Sequence, residues 1–316
     1  MQKSHNEGIF AALSSAVFLG FTPVFGKLAI NFGFSPLAVV AFRTSMAAGL
    51  VFLFVILFYR SYLYIFPIGL LGCILAGLIN GLGSILYYMA LNRLNASIGQ
   101  MLYSLYPFFV AIWLILDGQP LSPLSFFRIG LATMAVLMLT AIPSHGADLI
   151  GTVMMLGAAA LYALHLPINQ RVLYEVPAPT VTLYTLLAMS AVVVPAFLIF
   201  DHQWPSLTLP WWPVFGLTLV TSLSRLTLFL GIKHIGGLQT ALLGLAELLI
   251  AIFFSYIWLH ETLLWTQWLG AIGLAISLLL VKFDPPALHR QGGKNGWFSW
   301  IHPPDIPQDI PWGPHE

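Results

Sequence analysis

Two ionisable side chains of opposite sign stand at equal distances from one glycine turn. Arg225 lies 11 residues before Gly236 and Glu247 lies 11 residues after it, each flanked by almost continuous apolar sequence. At a rise of 1.5 Å per residue, both sit roughly 16 Å from the turn on neighbouring antiparallel helices. Such a pair is either a structural ion pair locking the hairpin or a site where a substrate or a proton competes for one member. Arg43, about eight residues into another apolar block, has a planar fork suited to a carboxylate or phosphate. Its other reading is an arginine that snorkels and tethers a loop. His165 and Asn169 are four apart and share a helix face beside Pro167. The histidine suits a coupled proton or a hydrogen-bonded structural role. Gln100, Tyr103, Ser104 and Pro107 follow the three-to-four spacing of one face. That stripe lines a pathway or glues two helices, and Pro107 frees a backbone carbonyl. Asn80 sits among Gly77, Gly81 and Gly83, which allow close helix packing, while the asparagine itself can face a cavity. The substrate-binding candidates are therefore Arg43, Asn80, Gln100, Tyr103, His165, Asn169, Arg225 and Glu247, with Glu247 and His165 as the candidate proton carriers.

Other chemistries lack their residues. His260-Glu261 reads as a turn, and no spacing supports a zinc site. No G-x-x-x-x-G-K-[ST] loop is present to cradle nucleotide phosphates, and no Gly-x-Ser-x-Gly elbow presents a nucleophile. Neither an enzyme nor a cofactor is expected.

The elements that hold these residues follow from composition. Of 316 residues, 59% are hydrophobic and only 7% charged, with a mean hydropathy of +0.90. Soluble domains carry about 25% charged residues, so this is a multi-span membrane protein. A formal net charge of +1 provides no attraction for nucleic acid; the surrounding partner is membrane lipid. Cys73, the single cysteine, lies inside an apolar span and reads as a packing residue. The apolar N-terminal stretch runs on without a convincing small-residue cleavage site, so it reads as a retained helix rather than a signal peptide.

A span needs roughly 20 apolar residues, and the blocks are too long for barrel strands. Ten helices are expected, at about 8–30, 35–58, 65–91, 95–116, 124–142, 148–170, 179–200, 211–232, 237–259 and 263–282. Short turns join them, among them Asn31-Phe32-Gly33, Asp117-Gly118-Gln119-Pro120, Val176-Pro177-Ala178-Pro179 and Ile235-Gly236-Gly237. With the N-terminus inside, Lys3, Arg60, Arg128, Arg171, Lys233, Lys282, Arg290 and Lys294 fall on the cytoplasmic side, and only Lys27 and Arg93 fall outside. The positive-inside bias therefore places both termini, 1–7 and the Pro/Gly-rich tail 283–316, in the cytoplasm.

Sliding the chain by 140 residues places Arg93 on Lys233, Pro107 on Glu247 and Gly130 on Gly270. At the front, Pro23 falls on Pro167 and Lys27 on Arg171. Two repeats of five helices are expected, 8–142 and 148–282. An odd number of spans starts the second copy from the opposite face, so the repeats are inverted. Inverted repeats are an architecture of secondary transporters, with the substrate site near the midplane.

The chain resembles the EamA-type branch of the drug/metabolite transporter superfamily. The pieces that carry the resemblance are the Gly20 to Lys27 stretch, Arg43 in SPLAVVAFR, Ala90 to Ser97, SLYPFFVAIW with Pro107, and LAELLIAIFFSYIWLHETLLWTQWLGAIG with an acidic turn at Glu261. It covers nearly everything except the tail. Two positions depart from the pattern: Gln119 stands where the first repeat would carry its acidic turn residue, and Glu247 stands where the first repeat has Pro107. The resemblance implies an all-α integral membrane protein that moves a small metabolite in the inner or plasma membrane. Export of amino acids is the usual expectation; nucleotide sugars, drugs or a non-transporting interaction role are the alternatives. Protons and a homodimer partner are compatible with it.

Overall fold

The computed structural model describes residues 2–94, 96–118, 121–139, 148–201, 204–206, 208–250 and 265–283. Gln119, Glu261 and the tail beyond residue 283 lie outside the described residues. The first half runs α1 (Gln2–Gly20), α2 (Thr22–Asn31), α3 (Pro36–Phe58), α4 (Pro67–Arg93), α5 (Ala96–Tyr103), α6 (Tyr106–Leu116) and α7 (Pro123–Leu139). The second runs α8 (Leu149–Leu173), α9 (Ala178–Phe200), α10 (Trp212–Ile235), α11 (Gly237–Gly244) and α12 (Trp265–Leu279), with residues 246–250 also helical. Among the described residues the fold is all-α. Six helical stretches among the described residues are long and apolar enough to cross a membrane: His5–Asn31 (α1 with α2), Pro36–Phe58, Pro67–Arg93, Leu149–Leu173, Ala178–Phe200 and Trp212–Ile235.

Three expected spans are not continuous. The first is interrupted at Phe21, where Pro23 sits in the opening turn of α2 and has no N–H to continue the ladder. The fourth, expected over 95–116, divides at Ser104-Leu105 just before Pro107. The ninth divides at Leu245 with no proline nearby. Pro167, by contrast, lies inside an unbroken α8.

Local signals account for the turns. Gly33, Gly118 and Gly236 have φ of 102°, 72° and 85°, a region that a Cβ disfavours. Ser35 caps α3 by accepting from the Ala38 N–H at 3.1 Å, with Pro36 following as the first helical residue. Asp148 caps α8 through the Ile150 N–H at 3.0 Å.

Helix α4 is the hub, packed on α8 and α9. A Cβ on Gly77 would lie 2.6 Å from the Thr185 carbonyl oxygen of α9, and one on Gly83 would lie 3.1 Å from Leu161 Cβ of α8. These small residues let the backbones approach closely, which in lipid is the main source of helix association. The packing is reciprocal between the halves. Contact of α4 with α8 is matched by α10 with α1, and α4 with α9 by α10 with α3; α3 meets α9, and α7 meets α12. At one end, Trp211 packs edge-on against Phe34 and Phe42 at 5.0 and 5.2 Å, and Trp204 against Phe197 at 5.5 Å. Aromatic rings of this kind favour a membrane–water boundary.

Candidate functional site

A cavity of about 50 Å³ lies where the halves meet. That is above the ~10–15 Å³ a polar cavity needs to hold a water. Its wall draws on Leu19 of α1, Thr22 of α2, Arg43 of α3, Ser84 and Tyr87 of α4, Gln100 and Tyr103 of α5, and Tyr106 of α6. The second half adds Tyr162 of α8, Arg225 of α10 and Glu247 beyond α11. Of the eight residues singled out in the sequence, Arg43, Gln100, Tyr103, Arg225 and Glu247 share this wall. Asn80, His165 and Asn169 are buried behind it.

Each charged group is held differently. Arg43 donates from Nη1 to Thr221 Oγ1 at 3.1 Å and from Nη2 to Ser84 Oγ at 3.3 Å, and its guanidinium carbon lies 4.8 Å above the Tyr88 ring. Its Nε is buried without a partner among the described residues. Thr221 and Arg225 are four residues apart on α10, so Arg43 is tied to the helix face that also carries Arg225. Arg225 donates from Nη1 to His165 Nε2 at 3.0 Å. Setting the Asn80 amide oxygen toward it lets Asn80 accept from Nη2 and Nη1 at 2.8 and 3.2 Å. Asn169 stands behind the histidine, donating to the His165 carbonyl at 3.0 Å and accepting from Thr185 Oγ1 at 3.3 Å.

Arg225 and Glu247 face the same cavity without pairing with each other, so the hairpin is not locked by a direct ion pair. Glu247 is only 3% exposed, and its Oε1 has no hydrogen-bond partner among the described residues. Gln100 lies beside the carboxyl group. Because Gln100 Oε1 already accepts from the Tyr87 hydroxyl at 3.3 Å, its NH₂ is the group left for the carboxylate. The result is a low-dielectric chamber lined by two guanidinium groups and a carboxyl group that do not pair with one another, where an unmatched charge is costly.

Four tyrosines form much of the rest of the wall. The ring of Tyr103 lies 5.0 Å from Tyr87 and 5.3 Å from Tyr162, and Tyr106 lies 5.0 Å from Tyr162. Tyr87, Tyr106, Tyr162, Thr22 and Ser84 are not among the residues expected from sequence. The spacing of Tyr103 and Tyr106, three apart on a face that also holds Gln100, is the signal that would have flagged the second of them. No three His, Cys, Asp or Glu side chains come together among the described residues to hold a metal.

Comparison with known proteins fits this architecture. No curated protein matches the chain. A solved structure described as "Crystal structure of protein" is similar in fold, with a TM-score of 0.69 at 14% identity over 89% of this chain and 96% of its own. The model of the EamA-like transporter family matches twice, over residues 6–141 and 149–283. Two tandem matches over most of a chain of apolar helices make this a multi-pass membrane transporter of the drug/metabolite type, and the chain belongs to the EamA-like transporter family.

Proposed function

We propose that the protein is a ten-span secondary transporter that exports an amino acid by alternating access around the cavity. The observation that carries this reading is the make-up of the chamber: Arg43, Arg225, Glu247 and four tyrosines, drawn from both repeats, line one cavity. A zwitterion has the complementary layout, its carboxylate toward the guanidinium groups and its ammonium toward Glu247 and the aromatic faces. Several phosphates would call for more cations than two arginines, which weighs against nucleotide sugars.

Five spans per repeat make the two copies inverted, and the reciprocal packing of α4·α8 with α10·α1 is what a two-fold axis between them requires. One bundle rocking on the other would then open the cavity to either side in turn. The basic residues favour cytoplasmic termini in the inner or plasma membrane. Glu247, with a carboxyl oxygen lacking a partner, is the group best placed to exchange a proton when substrate enters or leaves.

Proteoliposome counterflow with individual amino acids tests the reading. Arg225→Met should cut exchange about tenfold or more, the size expected when a charge-assisted hydrogen bond to substrate is lost. Glu247→Gln should abolish the response to an imposed pH gradient while exchange down a substrate gradient persists. Transport by Glu247→Gln that still follows the pH gradient would remove that residue from coupling.

A further inference from the structure

His165 and Asn80 stay out of the cavity wall, yet both end on a guanidinium group that forms part of it. His165 has no exposed surface. Its Nδ1 lies against the Tyr162 carbonyl oxygen and its Nε2 is 3.0 Å from Arg225 Nη1. A carbonyl oxygen only accepts, so Nδ1 carries the proton; a guanidinium only donates, so Nε2 is bare. Both contacts are satisfied by one species alone, the neutral Nδ1–H tautomer. A second proton would turn Nε2 into a donor facing a donor, with two cations 3.0 Å apart.

The guanidinium can be inventoried in the same way. Of its five N–H groups, one on Nη1 goes to His165, and one each from Nη1 and Nη2 go to the Asn80 oxygen. Asn80 thus occupies the fork between the two terminal nitrogens. What remains is the Nε–H and the second Nη2–H, the parallel pair on the side edge of the group, which is the geometry that grips a carboxylate with two hydrogen bonds. The Tyr162 ring, 5.6 Å from the guanidinium carbon, backs its face.

We propose that His165 and Asn80 are positioning residues that hold Arg225 with its side edge free for a substrate carboxylate, and that His165 does so as a neutral acceptor. The inference rests on Arg225 being the substrate's anion anchor. It also separates two groups that sequence left equivalent: His165 is committed on both ring nitrogens, so a coupled proton belongs on Glu247, whose Oε1 is unpartnered.

The full-length protein in lipid nanodiscs, labelled with ¹⁵N-histidine, reads the tautomer directly, with the His165 signal identified by its loss in H165Q. At neutral pH and without substrate, the expected spectrum has a protonated Nδ1 and a bare Nε2. An Nε2–H tautomer or an imidazolium overturns the proposal. A second arm follows efflux of an equimolar mixture of the proteinogenic amino acids from proteoliposomes by mass spectrometry. For the amino acid moved fastest, H165L and N80L should raise KM about tenfold with little change in kcat. H165Q, whose amide oxygen can still accept from Nη1, should return KM to within about twofold of wild type. An unchanged KM in H165L, or no rescue by glutamine, would overturn the positioning role. Wild-type protein that moves none of these amino acids would instead remove the amino-acid reading, and the tautomer would still decide the positioning.

Discussion

In the first half of the chain, α5 ends at Tyr103 and α6 starts at Tyr106; in the second, α11 ends at Gly244 and helix resumes at residue 246. The backbone bonds around the two bends match pair by pair. Leu105 N–H reaches the Leu102 carbonyl at 3.3 Å and Phe108 N–H the Leu105 carbonyl at 3.0 Å; Leu245 reaches Leu242 at 3.3 Å and Leu248 reaches Leu245 at 3.0 Å. The first bend contains Pro107, which has no N–H to give. The second has Glu247 at the corresponding place. Here the cause is tertiary: turning Leu245 N–H toward Leu242 strips the Ala241 carbonyl of its helical donor, and the Tyr106 hydroxyl, arriving from the first bend, donates to it at 3.0 Å. Gly244 leaves the space, since a Cβ there would stand 2.0 Å from that hydroxyl oxygen. Insertion of a side chain into the ladder is a recognised cause of a kink. The comparison shows how position 247 escapes being proline: the sister helix holds the bend, and the position is left for a carboxylate in the cavity.

The halves also differ in how corresponding cations are anchored. Lys27 donates to the carbonyls of Leu91 and Leu94 at 2.8 and 3.1 Å, in a part-buried setting. Arg171 instead pairs with Asp117, both side chains almost wholly buried, while the neighbouring Gln170 accepts from the Gly237 N–H at 2.7 Å. One end is therefore closed by a cation on helix-terminal carbonyls and the other by a buried ion pair.

Breaking the second anchor should have the largest effect. Asp117→Ala strands the Arg171 cation and should lower stability by about 3–5 kcal/mol, read as a fall in melting temperature in detergent. A loss below ~1 kcal/mol, the size seen for exposed pairs, would make the two anchors alike after all. Gly244→Ala comes next, at about 2–3 kcal/mol, because the new methyl group and the Tyr106 hydroxyl cannot share the space. Adding Tyr106→Phe should recover part of that loss, a coupling that a double-mutant cycle measures; strict additivity would mean that the tyrosine does not hold the bend. Smallest is Glu247→Pro, which copies the first half. It should change stability by less than ~1 kcal/mol, whereas Leu242→Pro inside α11 should cost about 3 kcal/mol or more. Equal losses for the two prolines would show that the bends are not equivalent.

Much of the frame was legible because it depends on properties of single segments. Hydropathy marked the apolar helices, glycine at Gly33, Gly118 and Gly236 marked turns that take positive φ, and counting residues from Gly236 singled out Arg225 and Glu247, which line one cavity. Pro23 and Pro107 were visible as places where a ladder loses a donor. The bend at Leu245 was not, since its donor is a tyrosine 135 residues away in sequence.

By itself, then, the sequence determined an apolar, helical, duplicated chain with a small set of polar residues buried at intervals along it. Only the tertiary structure decided which of them meet. Arg225 turns to His165 and Asn80 rather than to Glu247, and Tyr87, Tyr106 and Tyr162 join the wall. Helical period and hydropathy describe one helix at a time. Partner choice depends on how closely and at what rotation helices approach, and here that is set by contacts such as Gly77 against Thr185 and Gly83 against Leu161, which no single segment encodes.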